Sequence, residues 1–132
     1  MRLEREEAVM TDLSVTSEDL GPFTVVQATG DIDLVSAPVL RNSLESLFRQ
    51  GRIRLVLDLR GVPFVDSTGL GILVGAQRAV APHGGEVRLV CTAERVLRVF
   101  SITGLDQVFS VHTTPAEAAA SAPPPPGGRG SA

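Results

Sequence analysis

The 132 residues contain one cysteine, two histidines and no lysine, and each scarcity closes a class of explanation. Cys91, set in the apolar run Val87–Cys91, can form no disulfide within the chain and cannot complete a cysteine zinc site, which fits a reducing compartment. All twelve positive charges are Arg, no basic run occurs, and the formal net charge is -3 with a pI near 5.3. That balance argues against an electrostatic grip on nucleic acid or on an anionic membrane. No segment approaches the length of a membrane-spanning helix, and the charged stretch Arg2–Glu7 lacks the apolar core of a signal peptide, so a cytoplasmic protein is expected. Met10 is a second candidate start, and residues 1–10 read as a flexible N-terminus.

What is present is apolar patterning. A hydrophobic content of 43% is enough for one compact domain with a sizeable core, and a monomer is expected. Leu13 and Val15 alternate with polar residues, Gly21-Pro22 is a turn, and Phe23–Ala28 is rich in β-branched residues, which predicts a hairpin. From Ser36, a candidate N-cap, the apolar positions Val39, Leu40, Leu44, Leu47 and Phe48 recur at helical spacing until Gly51. Ile53–Leu59 is apolar at nearly every position and predicts a central strand covered on both faces. A helix over Leu70–Ala81, a strand over Val87–Cys91, a helix capped by Thr92 and ending at Gly104, and a strand over Val108–Val111 follow. The alternation implies an α/β fold: a mainly parallel five-stranded sheet with an antiparallel N-terminal edge strand and helices packed against it. Residues 115–132 are Ala/Pro/Gly-rich; Pro115–Ser121 has room for a helical turn or two, but Pro123–Gly130 has nothing to bury, so a disordered, dispensable tail is expected after about Thr114.

Val65-Asp66-Ser67-Thr68-Gly69-Leu70-Gly71 stands where a buried strand hands the chain to a helix, at the sheet edge where sites gather in open α/β folds. A hydroxyl there has three readings. As an N-cap, Ser67 or Asp66 accepts an orphan backbone N–H, worth roughly 1 kcal/mol. As a nucleophile, Ser67 needs a base, yet His83 and His112 form no recognisable triad with it and Val65 replaces the first glycine of a nucleophile elbow. As a phosphate acceptor, Ser67 has the free N–H groups and positive dipole of a helix start beside it, and a phosphate next to Asp66 would change which partner binds without unfolding the helix. Small-NTPase chemistry is disfavoured because Gly69-Leu70-Gly71 lacks the lysine and spacing of a P-loop.

Thr68, Gly71, Gly75 and Arg78 share one side of that helix, opposite Leu70, Leu73, Val74 and Gln77. Two helical glycines on one face suggest a close backbone approach, either by a partner or by another element of the domain. Asp31 and Asp33 fall on one face of the preceding strand's end, on the same side of the sheet as Ser67. They read as a solvated turn or partner contact; a divalent cation would need a third ligand, and none is apparent.

Asp66-Ser67-Thr68-Gly69-Leu70-Gly71 after a hydrophobic strand, with Gly30-Asp31-Ile32-Asp33 and Ala37-Pro38-Val39-Leu40-Arg41 upstream, resembles a STAS domain of the anti-anti-sigma factor group over residues 11–114. The resemblance implies a non-enzymatic, cytoplasmic regulator in a partner-switching cycle. Unphosphorylated, such a protein binds an anti-sigma factor that is also a serine kinase and so frees a sigma factor. Phosphorylation of the serine matching Ser67 releases it, and a serine phosphatase resets the switch. Thr68 offers a second hydroxyl, but the family pattern favours Ser67. On this reading Asp31, Asp33, Asp66, Ser67 and Thr68, with Gly69, Gly71 and Gly75, contact the partner. No cofactor is implied, since ATP and magnesium belong to the kinase. The runner-up is a non-cycling STAS scaffold or transporter-associated regulator.

Overall fold

The computed structural model describes residues 12–121. The expected flexible N-terminus and the Pro123–Gly130 part of the tail lie outside them.

Five strands form one sheet in the order β1-β2-β3-β4-β5: β1 (Ser14–Leu20), β2 (Phe23–Thr29), β3 (Arg54–Gly61), β4 (Glu86–Val90) and β5 (Val111–His112). β1 pairs antiparallel with β2 across the Gly21-Pro22 turn, where Gly21 has φ 60°, and every other pairing is parallel. The parallel neighbours are joined through α1 (Ala37–Arg49), α2 (Ser67–Val80) and α3 (Glu94–Thr103). Because sequential crossovers of one hand stack on one side, these three helices share a face of the sheet. Leu40, Leu44 and Leu47 of α1, Leu73 and Val80 of α2, and Val96 and Phe100 of α3 pack there against Val26, Leu55, Leu57, Leu59 and Leu89. Each side chain fully buried in this way stabilises the domain by roughly 1.5–3 kcal/mol.

Strand alternation sends Phe23, Val25, Val56 and Val90 to the other face, where a short helix, α4 (Pro115–Ala120), covers them with Ala118. Its capping residue Thr114 accepts from the Glu117 N–H at 3.1 Å. The domain therefore extends past Thr114. Arg88, only 3% exposed, donates to the Ala118 and Ser121 carbonyls, stacks 4.6 Å over the Phe23 ring and is paired with Glu86. The expectation of a disordered tail is corrected over 115–121, where Pro115–Ala120 is helical and a buried guanidinium satisfies the carbonyls that end it.

Two further expectations are corrected. Ala93, not Thr92, precedes α3, and no side chain caps that helix. The last strand is Val111–His112 in place of Val108–Val111, because Leu105–Gln107 makes a 3-10 turn and Phe109 turns into the core. Among the described residues no helix is long and apolar enough to cross a membrane.

Candidate functional site: the corner around Ser67

β2 and β3 both end at the same edge of the sheet, and the loops that leave them meet. Gly30, at φ 115°, bends the chain out of β2, and a Cβ there would sit 2.9 Å from the Asp12 carbonyl oxygen. Ile32 then makes one parallel bridge with Val65, its N–H donating to the Phe64 carbonyl and its carbonyl accepting from the Asp66 N–H. Asp31 and Asp33 therefore belong to a turn and not to a strand end.

In that turn the polar side chains serve the backbone. Asp33 Oδ1 accepts from the N–H groups of Val35 (3.1 Å) and Ser36 (3.0 Å). Ser36 precedes α1 without capping it; its hydroxyl donates to the Asp31 carbonyl at 2.8 Å and accepts from the Asp33 N–H at 2.9 Å. Carboxylates take these N–H groups because the chain is between ladder and helix and offers no carbonyl to them. The Asp31 carboxylate is exposed and engages no described residue.

Asp66 is the N-cap of α2: Oδ1 accepts from the Gly69 N–H at 3.0 Å, while Oδ2 accepts from the Leu34 N–H at 3.1 Å, across 32 positions of chain. Of the two candidate caps, Asp66 is the one used. Ser67 is consequently the first helical residue, exposed, with a hydroxyl that makes no hydrogen bond to any described residue. Thr68 is half-buried and its hydroxyl is equally uncommitted.

The glycines separate into two kinds. Gly69 is buried, and a Cβ would lie 2.7 Å from Ile32 Cγ2 and 2.8 Å from Val65 Cγ1. It lets the start of α2 press onto the Ile32–Val65 bridge, which corrects its place among the residues that touch a partner. Gly71 and Gly75 are exposed, with open space where a Cβ would stand, so no described element of the domain packs on them. With Thr68 they border a groove of about 450 Å³ between α1 and α2, lined by Leu44, Phe48 and Ile72 and flanked by Arg41 and Glu45. On the opposite side of α2, Leu73 is buried and Gln77 accepts from the Val87 N–H.

Three residues at this corner escaped the reading of the sequence: Leu34 (71% exposed), Val35 (66%) and Phe64 (42%). They sit on the two loops that Asp66 ties together. An apolar pair between Asp33 and Ser36, where a solvated turn would be polar, was the available signal.

Neither histidine approaches Ser67 as a base. His83 follows the far end of α2 and packs its ring against Phe48, and His112 shares a hydrogen bond with Ser110. Among the described residues no three His, Cys, Asp or Glu could hold a metal ion.

Residues 14–118 match the family model of the STAS domain. The chain is 43% identical over 86 residues to the anti-sigma-B factor antagonist of Bacillus subtilis, a match that covers 65% of this chain and 78% of that protein. An anti-sigma factor antagonist from Mycobacterium paratuberculosis superposes with TM-score 0.76 at 29% identity, covering 82% of this chain and 92% of the other. The Bacillus cell fate determinant SpoIIAA in its phosphorylated form superposes with TM-score 0.63 at 21% identity over 80% of this chain and 96% of its own, a likeness of fold.

Proposed function

The chain belongs to the STAS-domain family, among relatives of the anti-sigma factor antagonists, and on that premise we propose that it is a partner switch controlled by phosphate on Ser67. It is a regulator and not an enzyme. Working as a monomer in the cytoplasm, the unphosphorylated protein binds an anti-sigma factor that is also a serine kinase, and a sigma factor is freed. The kinase transfers the γ-phosphoryl group of ATP to Ser67 Oγ; the hydroxyl proton is lost and ADP leaves. A serine phosphatase later hydrolyses the ester and returns the hydroxyl. ATP and magnesium are the kinase's.

The observation that carries this reading is the Ser67 hydroxyl: exposed, uncommitted, on the first turn of a helix whose capping is done by its neighbour. A side chain with no structural duty can be modified without loss of the fold. Phosphate would add about -1.5 to -2 charges beside Asp66. The docking surface is the corner itself, with Asp31, Leu34, Val35 and Phe64 on its loops and Thr68, Gly71 and Gly75 leading into the groove, where the bare helix face admits a partner's backbone.

Ser67→Ala should fold normally, take no phosphate on that turn and bind the anti-sigma factor as well as the parent. Ser67→Asp should also fold but bind at least about tenfold more weakly, since it adds a like charge at the docking corner. Titration of both variants against the kinase-type anti-sigma factor checks this. Equal affinity for the two would indicate a scaffold that does not cycle.

A further inference from the structure

Two loops meet at Ser67, and one carboxylate joins them. We propose that Asp66 is a positioning residue that carries the charge state of Ser67 to the apolar pair Leu34-Val35, so that phosphate loosens the docking loop as well as repelling a partner. The proposal rests on the phospho-switch reading for its biological meaning, but its geometry stands independently of any partner.

The hydrogen bonds of the loop make the case. The N–H groups of Val35 and Ser36 are held by Asp33, within the loop. The Leu34 N–H is held from outside it, by Asp66 Oδ2. Leu34 and Val35 are the exposed part of this loop, so burial of their own side chains does not fix them, and the backbone bonds must. The other oxygen of the same carboxylate caps α2 at Gly69. Asp66 thus has no spare oxygen, and each bond depends on where the other puts the group.

A phosphate on the adjacent Ser67 acts on this arrangement twice. Its charge repels the Asp66 carboxylate, and its oxygens compete for the N–H groups at the start of α2, among them the Gly69 N–H that Asp66 uses. Displacing the carboxylate leaves the Leu34 N–H to water. No change in helix or sheet is needed, and the loop passes from one hydrogen-bonded arrangement to a set of looser ones.

Backbone amide exchange of the full chain, followed by NMR, tests this with Ser67→Asp as the charge probe. Leu34 should exchange about tenfold faster in Ser67→Asp than in the parent, on the scale of one charge-assisted hydrogen bond, while Val35, whose N–H Asp33 holds within the loop, should change by less. Asp66→Ser separates the two duties, because serine caps a helix as well as aspartate but is too short to hold both N–H groups. In that background Gly69 should keep its protection, Leu34 should already be fast, and Ser67→Asp should add nothing. Asp66→Asn, which also caps well and keeps the side chain's size, serves if the serine variant does not fold. An unchanged Leu34 rate in Ser67→Asp, or a further acceleration by Ser67→Asp in the Asp66 variants, overturns the proposal. Because no partner enters the measurement, a protein that no kinase phosphorylates could still show the coupling, and a phosphorylated one could lack it.

Discussion

The corner around Ser67 and the strap of α4 on the far face of the sheet are both held by charged side chains bonded to backbone, and they do opposite things. At the corner, Asp33 and Asp66 take N–H groups and hold the loop on which Leu34 and Val35 are exposed to solvent. On the far face, Arg88 takes carbonyls and draws Ala118 down over Val56 and Val90. Presentation is achieved with half-buried carboxylates at the surface, which water can replace at modest cost. Covering is achieved with a buried guanidinium, whose loss would strand carbonyls and a carboxylate together.

That difference sets the order of effects. Removing Arg88 should be the most damaging single change: Arg88→Ala leaves Glu86 without its buried partner and α4 without an anchor, for a loss of about 3–5 kcal/mol in denaturant unfolding. Enhanced proteolysis after Thr114 should accompany it. A stability loss equal to that of an average surface substitution would show that α4 is an ornament and the comparison false.

The two kinds of glycine sharpen the contrast within one helix. Gly69→Ala forces a methyl group against Ile32 and Val65 and should cost about 1–3 kcal/mol of stability. Gly75→Leu meets open space and should leave the fold as stable as before, or more so by up to about 1 kcal/mol. Its effect should fall on binding instead, weakening the anti-sigma factor by at least about 1 kcal/mol through exclusion at a packed interface. Thermal melts and titrations of the pair check both halves.

The smallest expected effect is that of acid on the strap. The Thr113 N–H and hydroxyl hold the Glu117 carboxyl below its ordinary value. Burial, followed by the nearby Arg88, pushes His112 below the usual imidazole value of 6.5, against a pull upward from Glu117. Both groups bind protons more readily in the unfolded chain, so their contribution is complete above pH about 6.5 and is lost on acidification, His112 first and Glu117 as the pH falls through the carboxylate range. The thermal midpoint should decline gently below pH 6.5, and His112→Gln should flatten the upper part of that decline.

Local chemistry was legible from the sequence. The strand of Ile53–Leu59, the helix of Leu40, Leu44 and Leu47 and the bare face at Gly71 and Gly75 follow from period and glycine placement. The misreadings at the strap and around Asp66 share one cause, which is distance along the chain. Nothing near Ala118 in sequence announces that Arg88 will hold it, nothing near Asp66 announces Leu34, and Gly69 looks like its neighbours until Ile32 is folded against it. The pair Leu34-Val35 and the lone Phe64 are each too short an apolar stretch to stand out in a loop, and their meaning appears only when two loops are brought side by side.

Where phosphate goes decides whether Ser67 is the switch. Incubating the protein with ATP and the kinase-type anti-sigma factor, then mapping the phosphopeptide that spans Asp66 to Arg78 by mass spectrometry, should place a single phosphate on Ser67, and none should appear when ATP is supplied without the kinase. Phosphate on Thr68 with Ser67 unmodified, or phosphate acquired from ATP alone, would contradict it.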